Sequence, residues 1–184
     1  MNDKLELKDI KITLVRHGQD ETNKLGGWSN NKLIEKGVYE VELLTKFLDD
    51  DFDLIISSDL PRTVETANII AKNKNIEIIY NPYLREINNG QLANLTLAEF
   101  KEKYHGLYFS SLKMDETYPG GESPTEFYNR VKEAFLKIIE LYNDKNVLIV
   151  THGGVITIIK CLVNGWEYSN LLRINIPTGS FVIL

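Results

Sequence analysis

Short apolar runs alternate with longer stretches of helical spacing along the chain. Ile10–Val15, Leu54–Ile56, Ile76–Ile79 and Val147–Val150 are nearly unbroken apolar runs, the pattern of strands buried on both faces. Leu33–Leu48 places Val38, Val41, Leu44, Phe47 and Leu48 at helical spacing. Pro61–Ala71 opens on proline, which suits a first helical turn, and carries Val64, Ala67, Ile70 and Ala71 on one stripe. Ser123 followed by Glu126 forms a capping box ahead of the stripe Phe127, Val131, Phe135, Ile138, Ile139 and Tyr142. Val155–Val163 is almost wholly apolar and reads as a buried helix. The tail, Leu171–Leu184, reads as two strands broken by Pro177-Thr178-Gly179 at a sheet edge.

Alternation of this kind predicts an α/β fold: a three-layer sandwich with a mainly parallel sheet flanked by helices. The pattern weakens over residues 88–122, where only Leu97–Tyr104 reads as a helix. That stretch is expected to be a small lid insertion in a single domain spanning 1–184. Tyr104, Tyr108, Phe109, Met114 and Tyr118 are expected to build the lid's own small core, with contact to a bound ligand as the alternative.

Composition narrows the function. With 43% hydrophobic and 26% charged residues, the chain reads as a globular protein. A net charge of -5 without a basic stripe argues against nucleic acid and membrane as partners. It leaves an anionic small molecule open, because a local arginine cluster outweighs a distant field. Met1–Lys8 is polar and lacks an apolar signal core, and no apolar run approaches membrane-spanning length, so a cytoplasmic location is expected. The single cysteine, Cys161, lies in an apolar stretch and reads as a buried thiol. No histidine pair has zinc-ligand spacing.

Ligands of parallel sheets bind beyond the carboxyl ends of the strands. Four segments at such ends carry reactive or anion-binding groups. Arg16-His17-Gly18-Gln19, with Asn23 beyond it, follows the first apolar run. Ser57-Ser58-Asp59-Leu60-Pro61-Arg62-Thr63 leads into a helix, where an arginine in the first turn opposes the helix dipole and so points to function. Leu84-Arg85-Glu86 is the third, and Thr151-His152-Gly153-Gly154 the fourth. Histidine titrates nearest neutral pH and serves as base or nucleophile, and arginine presents donors that match phosphate.

Taken together and in this order, the four motifs resemble the histidine phosphatase superfamily, in particular its phosphoglycerate-mutase-like branch. The resemblance runs from Ile12 to about Ile159. It implies that His17 takes the phosphoryl group as a phosphohistidine. Arg16, Arg62 and His152 would hold the phosphoryl oxygens, and Glu86 would protonate the leaving oxygen and then activate water. Asn23, Gly18, Gly153 and Glu122 would complete the substrate site. No metal or other cofactor is implied. The activity expected is hydrolysis of a small phosphomonoester; a mutase using the same phosphohistidine and a non-catalytic phosphate-binding protein are the alternatives. Residues 91–122 contain no arginine to hold a second anionic group, which weighs against the mutase. Asp20 stands where the family commonly has serine or threonine; a carboxylate there repels phosphate unless it points away. A homodimer is left open.

Overall fold

A computed structural model describes residues 4–72 and 74–184. The first three residues of the polar Met1–Lys8 segment lie outside the described residues. Five strands form one sheet: β1 (Lys11–Arg16), β2 (Leu54–Ser57), β3 (Glu77–Tyr80), β4 (Asn146–Thr151) and β5 (Phe181–Ile183). Their order is β3-β2-β4-β1-β5, parallel throughout except for β5, which runs antiparallel to β1. The five α-helices are α1 (Glu35–Leu44), α2 (Pro61–Ala71), α3 (Leu97–Lys103), α4 (Pro124–Leu141) and α5 (Gly153–Asn164).

Alternation along the strands sorts the core onto the two faces of the sheet. Ile12, Leu14, Leu54, Ile56, Val147 and Ile149 pack with Phe127, Val131 and Phe135 of α4 and with Val155, Ile158 and Ile159 of α5. On the opposite face, Val15, Ile55, Leu148 and Val150 pack with Val41 and Leu44 of α1 and with Ala67 and Ile70 of α2. The chain is therefore an α/β sandwich of helix, sheet and helix.

Local chemistry fixes the helix ends near the site. Leu60 is extended and Pro61 occupies the first turn of α2. Ser123 caps α4 in a reciprocal box with Glu126, and Thr96 does the same for α3 with Glu99. Three expectations need correction. α1 ends at Leu44, because the chain tightens into shorter-range backbone bonds at Lys46 and Phe47, which leaves Phe47 exposed. The tail forms one strand, not two. Residues 171–176 do not join the sheet: the Leu172 N–H donates to the Ser169 carbonyl, Arg16 Nη1 donates to the Ile176 carbonyl, and just before them Asn170 Nδ2 donates to the carbonyls of Phe109 and Leu112.

The stretch 88–122 does not hold a core of its own. Leu92, Phe100, Leu112 and Tyr118 are buried within the α4–α5 core, while Tyr108 is exposed.

Candidate active site

β1 and β4 are adjacent and in register, with Arg16 opposite Thr151. Each strand delivers its histidine one residue past its end, so the pairing of two buried strands brings His17 and His152 together. Their rings lie 5.1 Å apart between centroids. Arg62 enters from the first turn of α2, the helix that follows the neighbouring strand β2. Its Nη2 donates to His152 Nδ1 at 3.2 Å.

His17 is buried, and its Nδ1–H donates to the carbonyl of Gly18 at 2.8 Å. That bond selects the tautomer with a proton on Nδ1 and leaves a lone pair on Nε2. The backbone of His17 is pinned on both sides, its N–H by the Thr151 carbonyl and its carbonyl by the N–H of Gly179. Gly18 is required by close approach, since a Cβ there would collide with the Gly37 carbonyl on α1. Its own N–H donates to Thr66 Oγ1.

His152 is fully buried and accepts from Arg62 at Nδ1, so its Nε2–H donates to Ser58 Oγ, 2.9 Å away. Both imidazoles are held well below the ordinary histidine range. Burial is the first cause for each, and the charge of Arg62 the second. For His17, the bond to Gly18 opposes this shift and Arg16 adds to it. For His152, His17 and Arg16 add to it.

The two arginines differ. Arg62 is 2% exposed and engaged on all three nitrogens: Nη2 also donates to the Gly27 carbonyl, Nη1 donates to Ser29, and Nε lies 3.6 Å from Asp20 Oδ2. Asp20 is thus turned toward Arg62, and its burial raises its proton affinity while Arg62 opposes the rise. Arg16 donates from Nη1 to the Ile176 carbonyl, and its buried Nε has no partner. Free donors therefore belong to Arg16.

Glu86 sits in the loop after β3, its carboxylate held by backbone. Oε2 accepts from the N–H of Gly154 at 3.0 Å and Oε1 from that of Ile87 at 3.2 Å. Gly154 must be glycine for this, because a Cβ there would collide with Glu86 Oε1. The loop is clamped from behind. Arg130 on α4 pairs with Glu122 at 2.6 Å and donates to the carbonyls of Tyr83, Arg85 and Glu86. Trp28 Nε1 also donates to the Glu86 carbonyl, and Glu122 accepts from the Asn88 N–H.

A cavity of about 710 Å³ opens here, lined by Arg16, Gly27, Glu86, Gly153 and Gly154, with residues 172–176 as a further wall. His17, Arg62 and His152 are not in its lining. They adjoin lining residues: His17 and His152 are next in the chain to Arg16 and Gly153, and Arg62 Nη2 donates to the Gly27 carbonyl. Of the residues expected from sequence, Arg16, His17, Arg62, Glu86, His152 and Gly153 are brought together. Glu122 and Gly18 act one step back, on the Glu86 loop and on α1. Asn23 is exposed outside the cavity, its carbonyl accepting from the Leu97 N–H. Sequence reasoning missed Ser58 and Arg130, as well as Tyr168 and Arg173 of the cavity lining. Ser58 stood within a recognised motif; the others carried no signal, as their placement depends on α4 and on the irregular tail. Among the described residues, no three His, Cys, Asp or Glu side chains group as metal ligands.

The arrangement can hold a phosphoryl group, present a neutral imidazole nitrogen to it and supply a carboxyl for proton transfer. A family model for the histidine phosphatase superfamily (branch 1) matches residues 12–184. Phosphoserine phosphatase 1 of Hydrogenobacter thermophilus is 29% identical over 181 residues, covering 95% of this chain and 86% of its own. The 2,3-bisphosphoglycerate-dependent phosphoglycerate mutase of Cytophaga hutchinsonii is 32% identical, with 92% and 84% covered. Among solved structures, Bacillus stearothermophilus YhfR aligns with a TM-score of 0.85 at 25% identity, over 95% of this chain and 90% of that one. The α-ribazole phosphatase of Shigella flexneri aligns at 0.81 and 23% identity, over 94% and 89%. The paired histidines at the ends of β1 and β4 and this near-full-length match lead to one conclusion: the chain belongs to branch 1 of the histidine phosphatase superfamily.

Proposed function

We propose that the protein hydrolyses phosphomonoesters through a phosphohistidine on His17. The observation that carries this reading is the bond from His17 Nδ1–H to the Gly18 carbonyl, which leaves the Nε2 lone pair for attack, within a site that also holds Arg62, His152 and Glu86. His17 Nε2 attacks phosphorus and forms the N–P bond as the ester P–O bond breaks. Glu86 gives its proton to the departing alkoxide. Water then attacks phosphorus, Glu86 takes a proton from that water, the N–P bond breaks, and inorganic phosphate leaves with His17 restored.

Negative charge on the transferring group is met by Arg16 and Arg62. Arg16 has donors to offer directly. Arg62 trades a donor from the Gly27 carbonyl to a phosphoryl oxygen. Asp20 is paired with Arg62, whose charge offsets the repulsion between that carboxylate and phosphate.

Relatives named as phosphatases and as mutases both exist, so hydrolysis and isomerisation are tested side by side. Purified protein given a panel of phosphomonoesters, with 3-phosphoglycerate assayed for both outcomes, is expected to release inorganic phosphate. Conversion of 3-phosphoglycerate to its 2-isomer without phosphate release would replace the hydrolase reading with the mutase one. Neither reaction with any ester would leave a phosphate-binding protein.

A further inference from the structure

Both ring nitrogens of His152 are occupied by protein groups, and the chemistry of those groups decides where its proton lies. Arg62 Nη2 sits 3.2 Å from Nδ1, and Ser58 Oγ sits 2.9 Å from Nε2. A guanidinium only donates, so Nδ1 is the accepting nitrogen. A ring whose Nε2 also accepted would be an imidazolate. A ring protonated on both nitrogens would set its own N–H against an N–H of Arg62, with like charges in contact. The proton therefore lies on Nε2, and Ser58 Oγ accepts it. His17 carries its proton on the other nitrogen, Nδ1, so the two histidines are opposite tautomers.

Neighbouring strands bring these partners together. Ser57 of β2 lies opposite Val150 of β4, and Ser58 and His152 each stand one residue past the end of their strand. The backbone of Ser58 is pinned: its N–H donates to the Val150 carbonyl, and its carbonyl accepts from Ser57 Oγ and Thr63 Oγ1. Its hydroxyl also accepts from the Leu60 N–H at 3.4 Å, just ahead of α2. Ser58, Arg62 and His152 are all buried, so an N–H left without an acceptor there is costly. The other contacts of Arg62 go to Gly27, Ser29 and Asp20, and His152 Nδ1 holds it beside the His17 ring, 5.1 Å from that of His152.

We propose that Ser58 is a positioning residue: by accepting the Nε2 proton of His152 it keeps Nδ1 an acceptor, and so seats Arg62 for a phosphoryl group. Ser58 acts through His152 and Arg62, not on the reacting atoms. The inference rests on Arg62 as a phosphoryl clamp, and it holds for hydrolysis and isomerisation alike.

The test uses inorganic phosphate as the probe and two variants, Ser58→Ala, which loses the hydroxyl, and Ser58→Thr, which keeps it. Long-range proton–nitrogen NMR of isotope-labelled protein, assigned through His17→Ala, reads the tautomer of His152. Calorimetry reads phosphate affinity. The wild type is expected to carry the His152 proton on Nε2. Ser58→Ala is expected to shift it toward Nδ1 and to weaken phosphate binding about tenfold, the effect of one buried N–H losing its acceptor. Ser58→Thr is expected to restore both. A wild-type proton on Nδ1 overturns the inference without any variant. Unchanged phosphate affinity in Ser58→Ala overturns it too. Weakened affinity with the Nε2 tautomer retained assigns Ser58 to the packing ahead of α2 and overturns it as well. A wild type that binds no phosphate and hydrolyses no ester, whatever its tautomer, removes the phosphate-site reading and this inference with it.

Discussion

In the proposed hydrolysis, Glu86 is the residue on which the proton transfer turns. Two backbone N–H groups hold its carboxylate, Trp28 and Arg130 hold its carbonyl, and Gly154 leaves it room. A carboxyl fixed this firmly suits both proposed steps, donating to the alkoxide and then accepting from water in one orientation. Replacing a positioned general acid typically costs roughly a hundred- to ten-thousandfold in rate. Glu86→Gln is therefore expected to lower kcat by that amount on an alkyl phosphate, whose alkoxide needs the proton. The loss on 4-nitrophenyl phosphate is expected to be much smaller, because nitrophenolate leaves without it. Steady-state rates on the two esters check this. Equal losses on both would remove Glu86 from the role of acid.

At the scale of elements, the sheet positions the site and most of it was legible. The apolar runs marked β1 to β4, although β3, read as buried on both faces, is an edge strand with exposed ends, and the Arg-His-Gly and His-Gly-Gly motifs fell just past β1 and β4 because the chain must turn there. Pro61 and the Ser123–Glu126 pair gave the starts of α2 and α4, since these are local signals that tertiary packing does not need to supply. The tail misled. Its β-branched and apolar residues read as a strand at 171–176, yet there the Leu172 N–H donates to the Ser169 carbonyl and the Ile176 carbonyl accepts from Arg16. Nothing local distinguishes a strand from a segment that long-range partners have claimed. The same limit hid Arg130, which looked like one more charge on α4 and instead braces the Glu86 loop from behind. Glu122 was expected at the substrate. It is Arg130's partner, so its contribution passes through the loop that carries Glu86.

Over the whole molecule, burying two imidazoles beside Arg62 links stability to pH. Both histidines are held well below their ordinary range, chiefly by burial. Above about pH 6.5 they are neutral in the folded and unfolded chains alike, and they add no pH dependence. Below it the unfolded chain takes up as many as two protons that the folded chain refuses. Stability then falls toward acid by as much as about 2.7 kcal/mol per pH unit, and the fall ends only at the depressed folded-state values. Asp20 acts with the opposite sign, but only toward the carboxylate range. Urea unfolding between about pH 7.5 and 5.5 reads the histidine effect. A loss of stability on acidification supports it, and a flat or rising profile contradicts it.

The proposed hydrolysis rests on one bond, between phosphorus and His17 Nε2. Rapid acid-free quenching of the protein with an ester carrying a labelled phosphoryl group, followed by peptide mapping, tests it directly. The prediction is label on the peptide containing His17, stable to base and lost in acid, and absent from His17→Ala, which also ceases to release phosphate. Normal phosphate release by His17→Ala, or turnover with no label on that peptide, would contradict it.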